Sequence, residues 1–236
     1  VMIRMTNYVM LYAPIGVFGL IAYTVTRHGL AVLLPLGKLI LTAFIATLIF
    51  VCITYLPIIK LIGMKISDYL KGAFEPWLIA FTTCSSAAAL AVNLEASRKM
   101  GASKAIASFA IPLGNTINMN GTSIYMGVTA VFAAEVFGID LTLAQQFQIV
   151  LMGVLAAVGT AGVPGAGLIM TTLVFTEVGI PLEAVALIAG IDRILDMIRT
   201  SVNVLGDSLT ALVVSKSEGV LGTELMDQDT VVKEQL

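Results

Sequence analysis

In the segment GIDRILDMIRTSVNVLGD, residues 190–207, six side chains can carry charge or hold a ligand: Asp192, Arg193, Asp196, Arg199, Asn203 and Asp207. A guanidinium can grip a carboxylate through two parallel hydrogen bonds, a carboxylate can hold an ammonium, and an unpaired carboxylate attracts a metal cation. On a helix turning about 100° per residue, Asp192, Asp196, Arg199, Asn203 and Asp207 share a sector of about 80° and form a stripe roughly 22 Å long. A second group lies in PLGNTINMNGTSIY, residues 112–125, with Gly114, Asn115, Thr116, Asn118, Asn120, Gly121, Thr122 and Ser123. Glycine and asparagine together unwind helices and free carbonyl oxygens. Both groups also have structural readings: a self-neutralising ladder that pairs Asp196 with Arg199, and a kinked helix with a polar packing seam. The charge count weighs against the ladder, because three aspartates outnumber Arg193 and Arg199. Asp207 lies two turns beyond Arg199 with no basic neighbour in sequence, so its cation comes from elsewhere.

The elements that position these groups are apolar. Of the 236 residues, 58% are hydrophobic and 12% charged, with a mean hydropathy of +0.98. This is a membrane composition. Apolar stretches near the length that spans about 30 Å of hydrocarbon occupy residues 8–26 and 30–59, and interrupted ones fill 74–94, 106–134, 147–175 and 182–214. Little remains for a soluble domain. A charge near the bilayer centre costs on the order of 3 kcal/mol, so the polar stripe faces protein or a wet cavity. The net charge of −2 and the lack of a basic cluster or aromatic-interleaved patch argue against a nucleic-acid partner. Cys52 and Cys84 both fall in apolar segments and suggest neither a disulfide framework nor a metal site. The opening VMIRMTNYVM has no initiator methionine and no signal-peptide pattern, and reads as an internal cut.

Loop charges set the topology, since lysine and arginine in short loops favour the cytoplasmic side. Lys60, Lys65 and Lys71 precede the 74–94 segment and Arg98, Lys99 and Lys104 follow it, which assigns both ends to the cytoplasm. Glu135 and Asp140 precede 147–175 and Glu177 and Glu183 follow it, which assigns both ends outside. Each segment therefore enters and returns, and each is followed by a long helix. The expected architecture is an all-α membrane protein: transmembrane helices plus two oppositely oriented re-entrant helical hairpins in an inverted repeat, with broken helices at the midplane. Its parts are a helix over 1–29, of scaffold type, and a transport core over 30–216. The core comprises a helix over 30–60, a hairpin over 66–98, a broken helix over 104–136, a hairpin over 142–178 and a helix over 182–216. A polar cytoplasmic tail covers 217–236. Arg27 and His28 go against the charge rule.

Backbone that turns at membrane depth survives only where protein or a polar cavity covers it. The first tip, TTCSSAAAL, offers Ser85 and Ser86 to satisfy turn backbone, and the second, VGTAGVPGAG, breaks any helix with four glycines and Pro164. Broken helices in inverted repeats bring positive N-terminal ends and free carbonyls together, where they hold anionic groups and small cations. Small residues alone can also mark close helix packing.

The motifs NMNGT, GTAGVPGAG and D-x-x-x-D-x-x-R-T-x-x-N-x-x-G-D, in this order after a serine-bearing hairpin, resemble the dicarboxylate/amino acid:cation symporters, the glutamate transporter family. The likeness runs from about Tyr8 to Gly219. It implies a sodium-coupled symporter of aspartate or glutamate with elevator-type alternating access, no enzyme activity, and a homotrimer in lipid when full length. By the same resemblance Arg199 pairs with the substrate side-chain carboxylate. Asp196 takes its ammonium, helped by the Thr200 hydroxyl and the carbonyls of Cys84 and Val163. Asn203 and Ser86 hold the α-carboxylate, and Thr122 and the Gly167 amide donate to the side-chain carboxylate. One sodium site matches Asp207 with carbonyls of Gly114, Asn118 and Asn203. Another matches carbonyls of Thr116, Ala157, Val158 and Thr160.

Departures from the family pattern qualify this. Asn120 stands where the family motif has an aspartate that helps form a further sodium site, so a third site is expected weak or absent. Cys84 stands where relatives often carry an arginine, and Arg193 is the expected replacement, as partner to Asp192. Met126 replaces an acid linked to potassium and proton coupling. Helices that precede Tyr8 in relatives are absent from this sequence. The alternative within transport is a cation- or proton-coupled C4-dicarboxylate symporter, for which an ammonium partner at Asp196 is superfluous. The expected location is the cell membrane, multi-pass, with a cytoplasmic C-terminus.

Overall fold

The computed structural model describes residues 12–30 and 33–223, which are helical with no strand among them. The sequence expectations for residues 1–11 and for most of the polar tail, 224–236, lie outside the described residues.

Helix α1, Ala13–His28, ends at Gly29, whose positive φ of 75° suits a residue without Cβ. Helix α2, Leu33–Phe50, runs through a π-helical stretch, Val51–Tyr55, into α3, Leu56–Leu61. Together these 29 residues form the one described segment both long and apolar enough to cross a membrane. The wider turn of a π-helix shifts the side-chain register, often where function requires it. Here it ends on Tyr55, which is buried and donates to Val202 O at 3.2 Å.

Helices α4, Ile66–Thr83, and α5, Ser86–Lys99, are joined by Cys84 and Ser85 alone. Ser85 caps α5 by accepting from Ala88 N at 3.2 Å. Cys84 takes a left-handed conformation, φ 54°, and is the only described non-glycine residue with positive φ. That conformation costs about 1–2 kcal/mol, and such strain concentrates at functional turns.

Helices α6, Lys104–Ile117, and α7, Asn120–Val136, are separated by Asn118 and Met119, both non-helical. Helix α8, Leu143–Val158, opens with a reciprocal cap between Thr142 and Gln145, and α9, Ala166–Val178, follows a loop containing Pro164 and Gly165. At 1.5 Å per residue α8 and α9 rise roughly 24 and 20 Å, short of about 30 Å of hydrocarbon.

Where one helix is expected over 182–216 there are two, α10, Glu183–Ala189, and α11, Asp192–Ser217. The division falls at Gly190, a poor helix former that also lies against α1: a Cβ there would be 3.2 Å from Ile21 Cγ1. Helix α11 is the central post, packed against α2, α4, α5, α6 and α7. It threads two apolar clusters. Leu195 joins one that includes Met126, Phe175 and Ile188, while Val202, Leu209 and Leu212 join another that includes Ile59, Tyr69 and Ile111. The outer surface is apolar in turn, with Phe109, Phe147 and Ile169 all about 70% exposed. Large exposed apolar areas mark contact with lipid or protein.

Candidate functional site

The polar stripe of α11 is buried. Asp192, Asp196, Arg199, Asn203 and Asp207 are all 6% exposed or less. Three buried carboxylates thus face one buried guanidinium, and charge held in that way requires pairing or a bound cation.

Arg199 is held on three sides. Its Nε donates to Asp196 Oδ1 at 3.0 Å, its Nη1 lies 3.6 Å from Asp192 Oδ1, and its Cζ sits 4.3 Å from the centre of the Tyr125 ring. Tyr125 also donates to Asp192 Oδ1 at 2.9 Å, so one aromatic residue positions both the cation and its counter-ion. Arg199 Nη1 is buried with no hydrogen-bond partner among the described residues. It is an unspent donor, placed where Gly167 leaves room, since a Cβ on Gly167 would collide with the guanidinium. Asp196 Oδ1 accepts from Thr200 Oγ1 at 2.7 Å and its Oδ2 from Gly165 N at 2.9 Å, which ties α11 to the α8–α9 loop.

The two tips meet at Gly162. Its carbonyl accepts from Ser85 Oγ at 2.9 Å and from Ala87 N at 3.2 Å. Around this junction Ser86, Thr122, Thr160, Val163, Gly167, Asp196, Arg199, Thr200 and Asn203 line one cavity of about 10 Å³ together with Met119, Ala161 and Gly162. That is far below the volume of an amino acid, so a ligand of that size enters only as the tips part. Ser86 is buried, and its hydroxyl has no hydrogen-bond partner among the described residues. Cys84 is buried, its Sγ 3.8 Å from Arg193 O, and is not among the residues that line this cavity.

One turn of the stripe further on, a second polar group gathers round Asp207. Asn118 Nδ2 donates to Asp207 Oδ1 at 2.9 Å and to Asn203 O at 3.4 Å. The carboxylate lies against Gly114, where a Cβ would be 2.6 Å from Oδ1. Asn120 Nδ2 donates to Asn118 Oδ1 at 2.6 Å and to Tyr55 Oη at 3.2 Å. No basic side chain pairs with Asp207 among the described residues. The other carbonyl set is less gathered: Ala157 and Thr160 are buried, Thr116 and Val158 are exposed, and no hydrogen bond joins Thr116 to the other three among the described residues.

Asn203 bridges the two groups. Its Oδ1 accepts from Gly121 N at 2.8 Å, and its Nδ2 donates to Thr122 Oγ1 at 3.0 Å and Met119 Sδ at 3.1 Å. Close approach is built in, since a Cβ on Gly121 would collide with the Arg199 backbone. The arrangement offers a fixed cation and an adjacent carboxylate, neutral donors, and a separate carboxylate that no basic side chain pairs with among the described residues. These suit a small charged organic solute.

The model of the sodium:dicarboxylate symporter family matches residues 1–217. The chain belongs to this family. It is 40% identical over 223 residues to the proton/sodium-glutamate symport protein of Geobacillus stearothermophilus, covering 94% of this chain and 53% of that protein. It is 39% identical over 217 residues to the proton/glutamate-aspartate symporter of Escherichia coli (strain K12), covering 92% and 50%. It is 38% identical over 220 residues to the C4-dicarboxylate transport protein of Bacillus subtilis (strain 168), covering 92% and 52%. The chain spans about half the length of these relatives. The sodium:dicarboxylate symporter family is one of membrane transporters, not of enzymes.

One expected pairing does not occur. Arg193 is not the partner of Asp192: its Nη2 donates to Thr82 O at 2.8 Å and its Nη1 to Thr83 O at 3.5 Å, at the end of α4. The reason is directional, because residue 193 projects about 100° away from residue 192. Asp192 instead takes Tyr125 and Arg199. Sequence reading also passes over Tyr125, Met119, Gly162 and Tyr55. Tyr125 had a signal, lying three residues after Thr122 on the same face of α7.

Proposed function

We propose that this chain is the transport core of a cation-coupled symporter for acidic amino acids, aspartate or glutamate. Substrate binds between the two hairpin tips, α7 and α11. The observation that carries the reading is Arg199: a buried guanidinium with a spare donor, beside Asp196 and the closed tips. The spare donor suits a substrate carboxylate, which planar guanidinium chemistry binds in a fork. Asp196 and Thr200 suit the ammonium, and Ser86, Asn203 and Thr122 suit the remaining oxygens. Asp207, with carbonyls of Gly114, Asn118 and Asn203, is the first site for sodium, and Thr116, Ala157, Val158 and Thr160 form a second as the tips move. Asn120 leaves the third site weak. The pairs α4–α5 and α8–α9 act as re-entrant hairpins of an inverted repeat. The second hairpin serves as outer gate in an elevator movement, and the C-terminus is cytoplasmic.

A dicarboxylate is the second reading, favoured by the named Bacillus subtilis relative. It leaves Asp196 facing a carboxylate in place of an ammonium, which disfavours it. The test is uptake of labelled aspartate, glutamate and succinate into proteoliposomes that hold the full-length protein, under a sodium gradient, a proton gradient or neither. Amino-acid uptake driven by sodium supports the reading. Succinate uptake without amino-acid competition overturns the substrate, and uptake driven by protons alone overturns the ion.

A further inference from the structure

Of six buried side-chain nitrogens or oxygens without a hydrogen-bond partner among the described residues, four lie on α5: Ser86 Oγ, Asn93 Oδ1, Ser97 Oγ and Arg98 Nε. Ser86, Asn93 and Ser97 are 2%, 1% and 0% exposed. At about 100° per residue they share a sector of about 40°, along roughly 16 Å from the tip toward the Lys99 end. Buried polar groups are normally satisfied, and those that are not require an explanation. The orientation of Asn93 is fixed by its amide nitrogen, which donates to Val204 O of α11 at 3.2 Å. Its spare atom is therefore the oxygen, an acceptor.

The facing helix is built to match. Ser201, Ser208 and Ser215 recur every seven residues on α11, and all are buried. Their hydroxyls turn back to carbonyls of their own helix, those of Ile198, Leu205 and Ala211. Tyr69 of α4 joins them, donating to Leu205 O at 2.6 Å and lying 3.0 Å from Ser208 Oγ. In a seam whose small polar residues serve as packing glue, the hydroxyls bond across helices. Here Ser208 and Ser215 do bond across, to Tyr69 of α4 and to Ser103 N, but the α5 oxygens stay free among the described residues.

We infer that the seam between the first hairpin and α11 is a hydrated lane through which water and a small monovalent cation pass between the candidate site and the Lys99 end of α5. The inference rests on the cation-coupled reading above. Hydroxyl and amide oxygens replace part of a hard cation's hydration shell, and being uncharged they release it again. Ala89 and Val204, 0% and 1% exposed, close the section between Ser86 and Asn93. That apolar constriction bars the organic substrate and wets only when the hairpin shifts on α11. The lane therefore serves the cation alone.

The test uses the full-length protein in proteoliposomes, with radioactive sodium and labelled aspartate, for the parent, Asn93→Leu, Ser97→Ala and Asn93→Thr. Substrate affinity and its sodium dependence should stay within twofold of the parent, because the lane lies outside the binding site. Net substrate-driven sodium flux should fall about tenfold in Asn93→Leu and Ser97→Ala, and recover in Asn93→Thr, which keeps an oxygen. Aspartate exchange with saturating sodium on both sides should hold its parental rate, since no sodium need be released. Parental net sodium flux in both oxygen-deleted variants overturns the lane, as does equal slowing of net flux and exchange. If Asn93→Leu does not assemble, Ser97→Ala decides alone, because it removes one oxygen and little volume. A parent with no substrate-driven sodium flux overturns the proposed function itself.

Discussion

Gly162→Ala tests the closed tips directly. The Gly162 carbonyl carries both hydrogen bonds between the tips, from Ser85 Oγ and from Ala87 N. A methyl group on its Cα would collide with Ser86 Oγ and stand 3.3 Å from both Ala87 N and Asn115 Nδ2. Ser86 Oγ can turn away about its χ1, but Ala87 N is fixed in the first turn of α5, so the remaining strain is relieved by the second tip moving out. The φ of Gly162 lies outside the left-handed region, so alanine adds no backbone strain of its own. The cost is then the two tip bonds, about 1 kcal/mol each, or about 2 kcal/mol against closure. If the tips part to admit substrate and these two bonds re-form over it, affinity falls by the same free energy, roughly 30-fold at 1.4 kcal/mol per decade. Calorimetric titration of the full-length variant with aspartate at saturating sodium reads this. Helical circular dichroism should stay parental, because the substitution sits in a loop. Affinity within twofold of the parent would show that the tip contact is not part of the bound state.

Arg199→Cys should cost aspartate on the order of 3 kcal/mol of affinity or more, because its carboxylate then meets Asp192 and Asp196 with no counter-charge; serine should now compete, and undiminished aspartate binding removes Arg199 from the site. Asp207→Asn should flatten the dependence of aspartate affinity on sodium, measured as the slope of log Kd against log sodium concentration, and an unchanged slope assigns the cation elsewhere. Asn120→Asp should steepen that slope by about one ion. It removes the donor to Asn118 Oδ1 and Tyr55 Oη and sets a second carboxylate near Asp207, which only a cation can offset; a parent already as steep refutes it.

Periodicity carried the parts of the site that lie along one helix. Asp192 to Asp207 are spaced to share a face, and burial follows because an apolar surround leaves charged groups no other refuge. The break at Asn118 and Met119 was legible from the local chemistry of NMNGT, since its cause is local. Contacts made across elements were not. Arg193 looked free to pair with Asp192, yet adjacent residues on a helix diverge, and only the arrival of α4 decides that it caps Thr82 and Thr83. Tyr125 has no assigned role in the sequence reading, and its hold on Arg199 needs the crossing of α7 and α11. The division at Gly190 likewise depends on α1 pressing on that turn. The junction at Gly162 was invisible for the same reason, because a carbonyl has no residue type to advertise it.

Asn203 makes the two halves of the stripe act as one. All three of its side-chain bonds go to the start of α7, at Met119, Gly121 and Thr122, while its carbonyl accepts from Asn118, which holds Asp207. A cation that draws the Asn203 and Asn118 carbonyls toward Asp207 moves the same short break that supplies Thr122 to the cavity. A substrate that takes the Asn203 amide must in turn release Thr122 or Met119 from it. Each ligand therefore alters the cost of the bonds the other uses. Such coupling is reciprocal by linkage, so sodium should tighten aspartate by the factor by which aspartate tightens sodium. Asn203→Ala, which leaves Gly121 N without its buried acceptor, should shrink that factor as well as weaken both ligands. A variant in which both affinities fall but the factor is kept would place the coupling in the tips, at Gly162, and not in this amide.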